Sequence, residues 1–154
     1  MVQRTGEASL HIEAPPETLY ALVADVTRMG EWSPETVRAE WVDGATAPVV
    51  GARFRGHNRR KLGWKTTCTV TAAEPGRQFA FHVGKGETVW RYTFAPSGTG
   101  TDVTESFEIV REPNVVIRRL NKLGTGVSWE DRPAQVEDGM RETLERLKAV
   151  AERT

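Results

Sequence analysis

Residues 134–152 read AQVEDGMRETLERLKAVAE. At helical spacing Val136, Met140, Thr143, Leu144, Leu147, Val150 and Ala151 fall on one stripe. Glu137, Asp138, Arg141, Glu142, Glu145, Arg146 and Lys148 occupy the rest of the circumference. This is the pattern of a helix with one buried face. Just upstream, Asp131 is a candidate N-cap and Pro133 suits a first turn. Glu137/Arg141 and Glu142/Arg146 are i,i+4 pairs for the wet side. At 1.5 Å per residue such a helix is roughly 28 Å long. Its apolar stripe needs a covering surface, and most of the chain before it reads as strand.

Strands are predicted in close succession at 37–42, 53–60, 64–73, 78–83, 88–95 and 101–110. Asp43-Gly44, Leu62-Gly63, Gly84-Lys85-Gly86 and Pro96-Ser97-Gly98 punctuate them. In Glu74-Pro75-Gly76-Arg77 the proline and glycine take the two central positions of a type II turn. Such spacing predicts an antiparallel meander. A further strand, 7–13, alternates Ala8, Leu10 and Ile12 with Ser9, His11 and Glu13. After it, Ala14-Pro15-Pro16 opens a helix with Leu19, Leu22, Val23 and Val26 on its apolar face, expected to stop near Arg28. Residues 29–32 allow one more short helical turn before Pro34. Residues 111–130 carry helical spacing over 115–123, interrupted by Gly124-Thr125-Gly126.

A sheet of seven strands is roughly 33 Å across at about 4.8 Å per strand, while one helix is about 10–12 Å wide. The sheet must curl round the helix, and incomplete filling leaves a cavity between them. The expected class is therefore α+β, a helix-grip fold. A curved seven-stranded antiparallel sheet wraps around a long C-terminal helix, two short helices follow the first strand, and 1–154 forms one domain.

Acidic and basic residues number 21 each, so the formal net charge is zero and no global field recruits nucleic acid or anionic membranes. A single cysteine, Cys68, rules out an internal disulfide framework and suits a reducing compartment. Residues 1–8 lack an apolar h-region and no apolar run approaches membrane length, so a cytoplasmic protein without membrane insertion is expected. His11, His57 and His82 take outward parity on separate strands, without ligand spacing, so neither a metal nor another cofactor is expected. Nothing matches a nucleophile elbow or a P-loop.

Several motifs together resemble the polyketide cyclase/dehydrase-like branch of the START/Bet v 1-like (SRPBCC) superfamily. They are Ala14-Pro15-Pro16-Glu17 with the break at 26–32, Glu74-Pro75-Gly76-Arg77-Gln78-Phe79, Trp90-Arg91-Tyr92, Thr104-Glu105-Ser106, and Gly139-Met140 followed by Thr143-Leu144-Glu145-Arg146-Leu147-Lys148. The resemblance spans nearly the whole chain. It implies a helix-grip fold with a hydrophobic pocket beneath the C-terminal helix, in a superfamily of cyclases, lipid and sterol carriers and stress-related proteins.

Strand parity sorts the interior. The inward side carries Phe54 and Asn58; Trp64, Thr66, Cys68 and Val70; Phe79, Phe81 and Val83; Trp90, Tyr92 and Phe94; and Val103, Glu105, Phe107 and Ile109. Aromatic surface carrying a few hydrogen-bonding groups suits a small-molecule pocket. The expected ligand contacts are Asn58, Trp64, Thr66, Cys68, Phe79, Phe81, Trp90, Tyr92, Phe107, Met140 and Leu144. Glu105, inward between Val103 and Phe107, is either ion-paired or a desolvated carboxyl of raised pKa able to act as general acid/base. Tyr92 is its companion in the candidate catalytic set. Cys68 reads as a buried, inert thiol. Arg53, Arg55, Arg59, Arg60, Lys61 and Lys65 form a basic cluster that reads as a solvated strand face, with an anionic partner (an acyl-carrier protein, a phosphate-bearing ligand or RNA) as the alternative.

The expected function is binding of a small hydrophobic, aromatic or polyketide-like molecule, with cofactor-independent cyclase/dehydratase chemistry or non-catalytic carriage as the two alternatives. An acyl-carrier protein or a second copy of the chain are the partners left open. Trp32-Ser33-Pro34, Gly84-Lys85-Gly86 and Gly124-Thr125-Gly126 are candidate doors to the cavity.

Overall fold

The computed structural model describes residues 3–153, so Met1, Val2 and Thr154, the ends of the expected domain, lie outside the described residues. In chain order come β1 (Thr5–Ile12), α1 (Pro16–Ala24), a 3-10 helix (Val26–Glu31), β2 (Thr36–Val42), β3 (Arg53–Arg59) and β4 (Gly63–Glu74). Then follow β5 (Gln78–Val83), β6 (Thr88–Ser97), β7 (Gly100–Ile109), α2 (Val115–Thr125) and α3 (Arg132–Ala151). The strands form one antiparallel sheet in the order β1-β7-β6-β5-β4-β3-β2. The meander runs from β2 to β7, and α1 with the 3-10 helix carries the chain from β1 to the opposite edge. Register shifts at Val70/Ala72 and Thr36/Arg38 bend the sheet where it curls. The class is α+β and the architecture a helix grip.

Local chemistry explains the boundaries. Arg77 N–H donates to the Glu74 carbonyl at 2.9 Å and Gly76 has φ 74°, as the type II turn requires. The first helix is shorter than its periodicity suggests. It stops at Ala24 because Asp25 leaves helical geometry and its Oδ1 accepts from Thr27 N–H at 3.2 Å, opening the 3-10 helix. Asn114 Oδ1 caps α2 by accepting from Ile117 N–H at 3.0 Å. Gly124 and Thr125 continue that helix rather than breaking it; the stop is Gly126, left-handed at φ 85°. Asp131 precedes α3 without a side-chain cap, since its Oδ2 accepts from Ser128 Oγ at 3.0 Å instead.

The two halves of α3 have different surroundings. Leu144, Leu147 and Ala151 join the main core with Ile12, Leu19, Val23, Phe79 and Val103. Each fully buried leucine there contributes about 1.5–3 kcal/mol. Met140, a turn earlier than Leu144, packs instead with Phe107 and Ile109. On the wet side Arg146 pairs with Glu142, while Arg141 lies 2.6 Å from Asp138 and 3.9 Å from Glu137.

Candidate ligand cavity

Between the first half of α3 and the concave face of the sheet lies a cavity of about 820 Å³, within the roughly 300–1,000 Å³ of pockets that hold drug-sized ligands. Asn58, Trp64, Thr66, Cys68, Phe81, Trp90, Tyr92, Glu105, Phe107 and Met140 line it. Phe79 and Leu144 do not: both sit in the main core, where Phe79 meets Tyr20 of α1 edge-on with ring centroids 6.4 Å apart. Strand parity for Phe79 and helical spacing for Leu144 gave the buried face, but α1 and the second half of α3 fill that end of the barrel.

Tyr92 and Glu105 are register partners across the β6–β7 ladder, so both side chains project from the same concave face. Tyr92 Oη–H donates to Glu105 Oε2 at 2.9 Å. Glu105 Oε1 is buried and has no hydrogen-bond partner among the described residues. Burial pushes the Glu105 carboxyl up to about 8, with the Tyr92 hydrogen bond opposing it. Burial, and then the neighbouring carboxyl, pushes the Tyr92 phenol well above its ordinary range. Burial thus favours the neutral, protonated form of Glu105. With Oε2 occupied by Tyr92, the acid proton belongs on Oε1.

The mouth holds groups the sequence did not single out. Arg132, in the first turn of α3, grips Glu35 in a bidentate pair, Nη1 to Oε1 and Nη2 to Oε2, both at 2.7 Å. Arg60 Nε reaches the same Oε1 at 3.2 Å, and the Arg132 guanidinium lies 5.7 Å from the Trp64 ring centroid. Burial works against the charged form of Glu35, but the two arginines outweigh it and hold the carboxyl below its ordinary range. Arg60 thus leaves the basic cluster and turns to the mouth. The one available signal was a cation at a helix N-terminus, where the dipole disfavours it. Trp129 and Asn121 also line the cavity, and Trp129 Nε1 and Asn121 Nδ2 are buried without partners among the described residues.

Other candidates are already engaged. Asn58 Oδ1 accepts from Thr36 Oγ1 at 2.7 Å and its Nδ2 donates to Thr66 Oγ1 at 3.1 Å, tying β2, β3 and β4 together. The Cys68 thiol is pushed up to about 12 by burial, against a hydrogen bond from Thr66, which makes it a poor nucleophile. On the outer face Arg53 pairs with Asp43 at 2.7 Å and His57 with Glu40 at 2.9 Å. Ser33, Pro34, Gly84, Gly124 and Thr125 border the same cavity, so the three expected door segments do converge. Trp32 is the exception: at 1% exposed it is anchored in the core.

A family described as "Polyketide cyclase / dehydrase and lipid transport" matches residues 3–152. The chain belongs to that family. Among solved structures it is similar to the Polyketide_cyc-like protein Cgl2372 from Corynebacterium glutamicum, at 34% identity and TM-score 0.54, covering 99% of this chain and 88% of that one. The protein MLL2253 from Mesorhizobium loti shares the fold at 21% identity and TM-score 0.67, with 98% of each chain covered. The di-domain ARO/CYC StfQ from the steffimycin biosynthetic pathway shares it at 15% identity and TM-score 0.75, covering 99% of this chain and 51% of that one. No curated protein matches the chain. Membership of the polyketide cyclase/dehydrase family accords with the SRPBCC ligand-binding fold and with a pocket beneath the C-terminal helix. Among the described residues no helix is long and apolar enough to cross a membrane.

Proposed function

We propose that this family member binds a largely apolar, oxygen-bearing aromatic or polyketide-like molecule and acts on it as a cofactor-independent cyclase or dehydratase. The observation that carries this reading is Glu105: a buried carboxyl on the wall of an aromatic cavity that, among the described residues, is bonded to Tyr92 alone and has Oε1 unpartnered. A structural carboxyl is normally paired, because an unpaired one is costly to bury. Trp64, Phe81, Trp90 and Phe107 offer flat apolar surface to a ring system. Trp129 Nε1 and Asn121 Nδ2, without partners among the described residues, offer donors to ligand oxygens.

A carboxyl of this kind, poised near the working pH, serves an intramolecular aldol closure. The enol carbon bonds to the ketone carbon as Glu105 gives its proton to the ketone oxygen, and the enol O–H proton returns to the carboxylate. In the dehydration that follows, Glu105 gives its proton to the departing hydroxyl, which leaves as water, and recovers one from the adjacent carbon. Tyr92 holds Oε2 and leaves Oε1 as the oxygen that carries the transferred proton. The family description, which names polyketide cyclases and dehydrases, supports the choice of substrate class.

Non-catalytic carriage is the second reading, supported by the lipid-transport part of the family description and by the exposed apolar residues of α2 beside the cavity. Turnover of a linear poly-β-keto thioester mimic separates the two. The enzyme reading expects cyclised product from the wild type and, from Glu105→Gln, loss of turnover by at least about a hundredfold with binding kept. Binding without turnover in both proteins leaves the carrier.

A further inference from the structure

The helix α2 lies at the cavity mouth, where Ile117, Leu120, Asn121 and Gly124 form part of the lining. Its outer side is not that of an ordinary surface helix. Val116 is 65% exposed and Leu123 59%, neither touches the cavity, and Leu120 shares their stripe at i, i+4, i+7. Val115 and Ile117 are exposed as well. At the same helical spacing the exposed Arg119 borders this stripe and the exposed Lys122 lies one step further round, while Arg118, whose Nε is buried, takes the far side. The ridge continues onto the β3–β4 hairpin tip: Lys61 and Leu62 N–H groups both donate to the Gly124 carbonyl, at 2.9 and 3.0 Å, and Leu62 is exposed. Of the nearby acids, Glu112 is drawn to Arg4 at 3.6 Å, and Glu130 and Asp131 lie beyond the far end of the helix.

An apolar crest flanked by lysine and arginine, on a helix of low mean hydropathy, is the form of a helix that lies in a bilayer interface. We propose that α2 and the adjoining hairpin tip dock the protein on an anionic lipid surface, with the cavity mouth turned towards the lipid. The zero net charge of the chain does not oppose this, because the basic groups are local to the ridge and interfacial attraction falls off within a Debye length. A lipid surface suits the ridge better than a protein partner. One short helix and a hairpin tip are narrow beside the roughly 800 Å² per partner of a stable interface. Docking would place an apolar ligand at the mouth without a passage through water. That use rests on the cavity holding such a ligand, whereas the docking surface stands independently of it.

The test is co-sedimentation of the full chain with phosphatidylcholine vesicles, pure or containing about 30% phosphatidylglycerol. Wild type is expected to bind the anionic vesicles at least about tenfold more tightly than the neutral ones, and less as salt rises. Val116→Glu with Leu123→Glu should abolish binding, and Arg119→Glu with Lys122→Glu should remove the anionic preference. Both double variants should still take up an apolar fluorescent probe in the cavity as wild type does, which shows that the fold is intact and tests the cavity separately. Absence of wild-type binding to anionic vesicles overturns the proposal, as does equal binding by Val116→Glu/Leu123→Glu. A concentration-dependent dimer that the same substitutions dissolve, with vesicles left unbound, overturns it in favour of a second copy.

Discussion

Replacing Glu105 by Gln keeps the side chain's shape and an oxygen for the Tyr92 hydroxyl, and puts a non-titrating amide NH2 in place of the acid O–H. In the folded protein the carboxyl sits at about 8, above its ordinary 4.5, because burial disfavours the anion. The folded state therefore holds this proton more tightly than the unfolded chain. That contribution to stability is fully present below the ordinary value and is lost as pH rises through about 8. Over the interval wild-type stability relative to the variant should fall by about 1.4 kcal/mol per pH unit, and by up to about 5 kcal/mol in all. Water entering the cavity would reduce the total without changing its sign. Urea denaturation followed by tryptophan fluorescence, for both proteins from acid to alkaline pH, measures the difference while shared titrations cancel. The two should be close in acid, with Glu105→Gln the more stable in alkali. A difference that is flat with pH, or one favouring wild type as pH rises, would refute the claim that Glu105 is buried and neutral.

Glu35→Gln should behave in the opposite sense. Its carboxyl is held low by Arg132 and Arg60, so the variant should lose about 2–3 kcal/mol at neutral pH by leaving Arg132, 13% exposed, without its partner, and the loss should fade as pH falls below the ordinary carboxylate value. Gly30→Ala should cost about 1–3 kcal/mol by thermal denaturation, because a Cβ there would sit 2.2 Å from the Val37 carbonyl oxygen and force the 3-10 helix off β2. Trp129→Phe removes a buried N–H that has no partner among the described residues, so folding stability should hold within about 0.5 kcal/mol while affinity for an oxygen-bearing cavity ligand drops about tenfold in calorimetric titration.

The parts of the molecule legible in the sequence are those written in periodicity. The stripe from Val136 to Ala151 announced α3, and alternation around Val103, Glu105 and Phe107 aimed the carboxyl inward because β7 is regular along its length. The cavity followed from the mismatch between one helix and seven strands. What periodicity does not carry was missed. Glu35 and Arg132 meet across 97 residues, and such a pair leaves no local pattern. The length of α2 was misjudged because Gly124, a poor helix former, is needed for close approach: a Cβ there would lie 3.2 Å from Trp64 Cε3. Trp32 stood in a candidate door beside Pro34, yet the Asp25 turn folds it back into the core.

Native mass spectrometry of the protein purified without added ligand, set beside Val136→Trp, tests the central claim most directly. Val136 is half-buried on the cavity wall, so the indole should occupy ligand space at little cost to the fold. Wild type should carry a non-covalent adduct of a few hundred daltons, consistent with a drug-sized cavity, which dissociates on denaturation and is missing from a folded Val136→Trp. An adduct retained equally by both proteins, or a wild type that stays bare and refuses every aromatic polyketide mimic offered, would contradict the account.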